Sequence, residues 1–316
     1  MTLLGKPHIL VTEPEYFTLS SLQTMRRVGS VVSKRLSRKE LLREVSKFEA
    51  LVVRIDTQLD KKLLKRATRL KCVISATTGV NHIDTVFLQS RGIPFFSLTG
   101  IHSISTAEHA IALLFAAARK IPWAHAHMSK GDWRRWEYIG SEVTGKTLGI
   151  LGIGRIGTEV AMRARALKIK VLAYDPYVSK EEVKRRGAQK ADWHAFLKNS
   201  DFFSLHAPLT PATQHLFGKK EFRSMKKSAT LVNTARAGII VEKALLEALS
   251  KKYIRAAAID VYHREPLNAR HPYRRYACTH SNLILTPHLG ASTHEAISQA
   301  SNFAAKTLAQ FFGTKI

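Results

Sequence analysis

The stretch Thr147-Leu-Gly-Ile-Leu-Gly-Ile-Gly-Arg-Ile-Gly157 decides the fold of this chain. It opens with an apolar run short enough for a buried strand. It closes with Gly152, Gly154 and Gly157 in G-x-G-x-x-G spacing, ahead of a segment with helical periodicity. Gly152 permits a tight turn, Gly154 lets a pyrophosphate approach backbone N–H groups at the helix start, and Gly157 lets helix and strand pack closely. An acidic residue belongs at the end of the next strand, about 20 residues on. Asp175 stands there, 18 residues beyond Gly157 and just after the run Lys170–Tyr174. A carboxylate at that point accepts from both ribose hydroxyls and repels a 2′-phosphate, and no Arg or Lys immediately follows it, so NAD is favoured over NADP. The alternative is a glycine-rich turn that only packs, with Asp175 a turn residue before Pro176; strand, glycines, helix and acid in one register weigh against it.

On both sides of this motif the chain repeats short β-branched run, turn and helical segment, the rhythm of parallel α/β sheets. Upstream, His8–Thr12, Leu51–Arg54, Cys72–Ala76 and Ile93–Phe96 read as strands, with helical segments at Ser37–Phe48 and Asp60–Ala67. An Ala-rich helix starts near Ser103–Ser105, where Ser105 and Glu108 have capping-box spacing, and leads on to Trp133-Arg-Arg-Trp136. Downstream, Phe202–His206, Thr230–Asn233, Ala256–Asp260 and Leu283–Thr286 are further strands, and residues 263–282 read as a long polar loop. Ser292–Phe312 has helical spacing and returns to the first block. The architecture expected is α/β with two doubly wound parallel-sheet domains: a Rossmann cofactor domain, 101–288, inserted in a smaller flavodoxin-like substrate domain formed by 1–100 and 289–316.

Composition narrows the class. At 316 residues, 45% hydrophobic and 23% charged, the chain has ample material for buried cores, which excludes disorder, collagen and coiled coil. Cys72 and Cys278 are too far apart for a disulfide framework or a cysteine zinc site, and no metal is expected. The N-terminus lacks a secretory apolar core and the longest apolar run, Ala110 to Ala118, is half a membrane span, so the chain reads as cytoplasmic with no membrane partner. The net charge of +26, from 50 Lys+Arg against 24 Asp+Glu, suggests a polyanion or an acidic substrate. The excess is spread along the chain, and clusters such as Lys184-Arg185-Arg186 and Lys226-Lys227 lack interleaved aromatics. They read as solvated faces, with weak nonspecific polyanion binding the most that composition supports.

Three titratable residues lie at strand ends: Arg236 in Asn-Thr-Ala-Arg-Ala-Gly, Glu265 in Asp-Val-Tyr-His-Arg-Glu-Pro-Leu, and His288 in Leu-Thr-Pro-His-Leu-Gly-Ala-Ser-Thr. Ligands of open α/β sheets bind beyond the carboxyl ends of the strands, where all three would collect. In order and spacing, the glycine fingerprint and these three segments resemble the D-2-hydroxyacid dehydrogenase family over essentially the whole chain. The similarity is greatest to its D-3-phosphoglycerate dehydrogenase branch, through Gly131 to Asp175 and the HLGAST ending. The chain looks like a short form without that branch's C-terminal regulatory domains.

The resemblance implies a role for each residue. Arg236 would hold the substrate carboxylate and polarise the C2 carbonyl, His288 would exchange the C2 hydroxyl proton, and Glu265 would pair with His288 and orient it. The residues alone leave His288 open as one loop histidine among 14 and Glu265 as a turn former before proline. Arg155 and Ile156 would offer N–H groups to the pyrophosphate. Pro208, Thr213, Thr234, Ala235 and Gly290 would line the cofactor, and so would His206, equally readable as a packing residue. Asp260 would meet the nicotinamide carboxamide, or serve as a turn former. Thr78-Gly79-Val80 would bind the substrate carboxylate. Arg54 and Arg135 would take a phosphate, Arg135 across a homodimer formed through the cofactor domain, unless either is an ordinary surface arginine.

The implied reaction transfers a hydride between NAD and C2 of a small D-2-hydroxyacid or its 2-oxoacid, foremost the 3-phosphoglycerate/3-phosphohydroxypyruvate couple of serine biosynthesis, in either direction. The alternatives are a glyoxylate or hydroxypyruvate reductase and, in another class, an NAD-sensing corepressor-like protein. Against the family's pattern, Arg-Gly-Gly is Arg236-Ala237-Gly238, a basic residue after the third strand is Ser75, Asp-Asn is Asn81-His82, and an Asn before the long helix is His102. These changes bear on the phosphorylated substrate more than on the chemistry.

Overall fold

The computed structural model describes residues 6–98, 100 and 102–314; the start of the N-terminal segment, residues 1–5, lies outside the described residues. The chain divides into two units, one running to residue 102 and resuming at 292, the other spanning 103–291.

The smaller unit has five strands: β1 (His8–Val11), β2 (Ser30–Ser33), β3 (Ala50–Val53), β4 (Cys72–Ser75) and β5 (Phe95–Ser97). All pair in parallel, in the order β2-β1-β3-β4-β5, the flavodoxin-like winding. Every residue of β3 and β4 is buried because helices cover both faces. Ile9, Val11, Val52 and Ile74 pack under the helix Leu19–Val28 and the returning helix His294–Phe311, through Ala300, Ala304 and Leu308. Their strand neighbours Leu10, Leu51, Val53 and Val73 pack on the opposite face against Leu41, Leu63, Leu64 and Leu88. Strand β2 was not anticipated. It is an edge strand whose residues alternate between exposed and half-buried, so Ser-Val-Val-Ser carries no apolar run. The expected helix Ser37–Phe48 is a capped helix, Arg38–Glu44, followed by a 3-10 turn, Val45–Lys47.

The larger unit contains β6 (Thr147–Leu151), β7 (Lys170–Tyr174), β8 (Gln189–Lys190), β9 (Phe202–Leu205), β10 (Thr230–Asn233), β11 (Ala256–Ile259) and β12 (Leu283–Leu285). They form one parallel sheet in the order β12-β11-β10-β9-β6-β7-β8. The winding reverses between β6 and β9, which opens a crevice at the carboxyl end of β6, where the glycine motif lies. The helices Ser103–Ala118 and Arg155–Ala166 cover one face over Leu148, Ile150, Val232 and Ala258. Phe203, Phe217, Phe222 and Leu231 fill the other.

Two expectations need correction. The chain enters the first of these helices at Ser103, so Ser105 is a buried residue of its first turn rather than a cap, and Glu108 pairs instead with Arg163 at 2.8 Å. The polar stretch 263–282 is not structureless. His271 accepts the Tyr273 N–H and starts a short helix, Pro272–Ala277, that seats the buried Tyr273 ring. The basic clusters are engaged locally: Arg185 and Arg186 share Glu182, and Lys226 pairs with Asp201. Among the described residues no helix is long and apolar enough to cross a membrane.

His102 provides a stability test. Burial, reinforced by the charge of Arg54, holds its pKa down at about 4. The unfolded chain takes up that proton near the ordinary value of about 6.5, whereas the folded chain stays neutral until about 4. His102 therefore contributes fully above about pH 6.5, and stability falls as the pH drops through that window, by about 3 kcal/mol in all. His206, held down to about 3 by burial, acts in the same direction. In denaturant titrations at about pH 7.5 and 4.5, His102→Asn should lose less stability than the parent; equal losses would contradict this assignment.

Candidate active site

The glycine turn has the form a dinucleotide needs. Gly152 adopts φ 83°, and a Cβ there would lie 2.9 Å from the Ala207 backbone. A Cβ on Gly157 would lie 2.2 Å from the Gly152 carbonyl oxygen. At Gly154 no atom of the described residues other than its chain neighbours lies within 4 Å of the Cβ position, so the space before the helix is open. That helix begins at Arg155 without a side-chain cap. The first-turn N–H groups of Arg155, Ile156 and Gly157 have no intrahelical acceptor and carry the positive end of the helix dipole. The Arg155 side chain is exposed. Asp175 directly follows β7, with its carboxylate fixed by two backbone donors, Ile153 N–H and Tyr177 N–H, each at 3.1 Å. The open cradle, the bare helix start and the fixed acid fit a dinucleotide with an unmodified 2′-hydroxyl.

Beyond the strand ends, Nδ1 of His288 lies 2.7 Å from Oε2 of Glu265. The Tyr262 N–H holds Oε1 of the same carboxylate at 2.9 Å. Both side chains are about one-third exposed, 31% and 28%, so the pair is ordered yet reachable by substrate. Arg236 follows β10 in a turn stapled by Asn233, which accepts from the Ala235 N–H and donates to the Arg236 carbonyl, both at 3.0 Å. Its Nη1 donates to the Ala235 carbonyl at 2.7 Å. Desolvation lowers the pKa of this half-buried guanidinium, against the opposing charge of Glu265, and no carboxylate of the described residues forms an ion pair with it. A partly desolvated cation with unspent donors is a receptor for a carboxylate. The substitution Ala237 is accommodated because it starts a 3-10 turn at ordinary φ. At Gly238 an added Cβ would meet only the Leu209 side-chain end, at 2.9 Å.

Of the remaining cofactor candidates, Thr234 is buried with an unbonded hydroxyl, and Ala235 and Gly290 are buried beside it in sequence or in the His288 turn. His206 donates or accepts through Nε2 with Ser204 at 2.7 Å, while its buried Nδ1 has no partner. Thr213 bonds the Pro208 carbonyl at 2.6 Å and so closes the Pro208–Thr213 loop on itself. Asp260 is fully buried and ties down the turn after β12, a task its sequence context did not reveal.

In the smaller unit, Thr78, Gly79 and Val80 form an exposed-to-half-buried bend after β4. Arg54, one residue past β3, is buried. Its guanidinium lies 4.7 Å over the Tyr16 ring and its Nη1 has no partner. Sequence reasoning missed Glu13, whose carboxylate staples this loop by accepting from the N–H groups of Arg54, Asp56 and Thr57 at 2.6, 2.8 and 3.1 Å. In the larger unit, Arg135 is exposed, on the 3-10 turn Arg135–Tyr138 and against the Trp136 ring.

Residues 111–290 match the family model described as D-isomer specific 2-hydroxyacid dehydrogenase, NAD binding domain. The chain is 43% identical over 290 residues to D-3-phosphoglycerate dehydrogenase of Archaeoglobus fulgidus, covering 91% of this chain and 54% of that one. It is 37% identical to glyoxylate reductase of Thermococcus litoralis, over 86% and 82% of the two chains. It thus spans about half the length of the phosphoglycerate dehydrogenases it matches. Among solved structures, D-lactate dehydrogenase of Aquifex aeolicus, complexed with NAD and lactic acid, superposes with a TM-score of 0.83 at 25% identity, over 97% of this chain and 95% of that one.

Proposed function

Because the chain belongs to the D-isomer specific 2-hydroxyacid dehydrogenases, we propose that it moves a hydride between NAD and C2 of a small D-2-hydroxyacid or its 2-oxoacid, with 3-phosphoglycerate the leading substrate. The observation that carries this reading is the His288–Glu265 pair at 2.7 Å, on the same sheet end as an Arg236 with no ion-pair partner among the described residues. In the oxidative direction Arg236 holds the carboxylate and polarises the C2 oxygen, and the unbonded Nε2 of His288 takes the hydroxyl proton. Glu265 stabilises the imidazolium that results and fixes its tautomer. A dinucleotide held by the glycine turn and Asp175 would supply the acceptor for the C2 hydride. In reduction the same groups act in reverse.

We assign substrate selection to the smaller unit and cofactor binding to the larger. Arg54, with buried Nη1 unpartnered, is the group there best suited to a phosphate. Trp133, Trp136 and Ile139 leave an apolar surface around Arg135 that fits a homodimer through the cofactor unit. A glyoxylate or hydroxypyruvate reductase is the second reading, favoured by the glyoxylate reductase similar over most of both chains and by Ser75, a neutral residue whose hydroxyl is bonded to Thr77 at 2.8 Å. The two readings separate on one variant. Arg54→Ala should reduce kcat/KM for the phosphorylated acid by about tenfold or more, the worth of one lost charge-assisted bond, and leave glyoxylate reduction within about twofold. Equal losses on both substrates would remove the phosphate assignment.

A further inference from the structure

The turn that carries His288 hangs on one buried carboxylate. Asp260 accepts at Oδ1 from the Thr286 hydroxyl at 2.6 Å and from the Leu289 N–H at 2.8 Å, and at Oδ2 from the Gly290 N–H at 3.0 Å. These donors bracket His288 in sequence, two residues before it and the two residues after it. His288 itself has φ 56°, a left-handed backbone that a non-glycine residue keeps only where its surroundings determine it. One contact to Asp260 comes from outside the turn. Nε2 of His109, on the helix Ser103–Ala118, lies 3.2 Å from Oδ1 and 3.4 Å from the Thr286 hydroxyl.

We infer that His109 is a positioning residue for His288, acting through Asp260. An ionised carboxylate only accepts, so every group around it must donate, and His109 Nε2 does so as N–H. The other three donors belong to the turn itself and move with it. His109 belongs to a helix packed across the sheet core, with Ala107, Ala110 and Leu114 buried on it, and so fixes the carboxylate relative to the rigid part of the unit. Burial alone would raise the Asp260 pKa; the bonds from His109, Thr286 and Leu289 overcome this and hold it below the ordinary carboxylate value. Without His109 the turn keeps its other bonds, those of Thr286 to Ile259 and Tyr262 included, but the Asp260 carboxylate loses the donor that sets it from the helix, and small displacements of an acid/base group reduce rates steeply.

This inference rests on His288 being the acid/base group, and its test is built to separate the two. His109→Leu keeps the bulk and removes the donor; His109→Gln keeps an N–H at similar reach. The Leu variant should lose about tenfold in kcat with the hydroxyacid KM and thermal midpoint close to the parent's, and the Gln variant should recover most of the loss. In the protein without substrate, the imidazole ¹⁵N signal of His288, assigned by its absence in His288→Gln, should broaden in the Leu variant and stay sharp in the Gln variant. Parental kcat and an unchanged His288 signal in the Leu variant, or equal losses in both variants, would overturn the inference. If His288→Gln turns over like the parent, the acid/base reading fails instead, while the ¹⁵N signals still report whether His109 holds the turn.

Discussion

Replacing His288 by alanine should lower kcat by about 10²- to 10⁴-fold, the usual contribution of a positioned general acid/base. In the proposed reaction the C2 hydroxyl proton leaves as the hydride does, and without His288 water, a far weaker base, has to take it. The loss should fall on kcat, because the proposal assigns the carboxylate to Arg236 and the dinucleotide to the glycine turn. Glu265→Gln should reproduce part of it. The amide keeps a hydrogen bond to Nδ1 at the 2.7 Å position but no longer balances the imidazolium charge. Steady-state kinetics with the thermal midpoint measured in parallel decide the matter. A rise in KM at constant kcat would make His288 a binding residue, and no change would leave it an ordinary loop histidine on an unusual turn.

The second large effect is expected at Arg236. Arg236→Leu should reduce kcat/KM by about 10²- to 10³-fold, since truncating one partner of a desolvated charge pair costs roughly 2–5 kcal/mol. Both KM and kcat should suffer, because the proposal gives the same guanidinium the carboxylate to bind and C2 to polarise. Arg236→Lys restores charge without the planar fork and should recover only a fraction of the activity. The Ala235 carbonyl is the sole hydrogen-bond acceptor its side chain has among the described residues, so a structural role predicts a loss of stability instead. An Arg236→Leu protein with parental kcat/KM and a lowered thermal midpoint would establish that alternative.

How much of this could be read in the chain depends on the range of the interaction. Gly152, Gly157 and Asp175 were legible because turn, close packing and strand end are local demands within 24 residues, and the structure meets each with a measurable contact. Strands β3, β4, β6 and β10 were legible because burial on both faces requires continuous apolar runs. Edge strand β2 was not, since a half-covered strand has no such requirement. The supports of the site were the least visible. Glu13 reaches Arg54 across 41 residues and His109 reaches Thr286 across 177, and neither pairing leaves a spacing signal. His109 could have been flagged only as a polar residue interrupting an Ala-rich helix. The capping-box spacing at Ser105 and Glu108 misled because the chain enters that helix earlier, and Glu108 is used by Arg163. The charge excess, which suggested polyanions, includes arginines set at Glu182 and the buried Arg54, so part of it has local partners and part is withdrawn from the surface.

The most direct test of the central claim is a hydride-transfer assay on the purified full chain. It would follow nicotinamide absorbance with NAD and a panel of D-2-hydroxyacids, and with NADH and the matching 2-oxoacids, including phosphorylated and unphosphorylated members and the L enantiomers. Turnover confined to D-acids and their oxoacids, lost in His288→Ala, is the predicted result. No exchange of hydride with any member of the panel, from a protein that binds NADH with a normal fluorescence change, would contradict it.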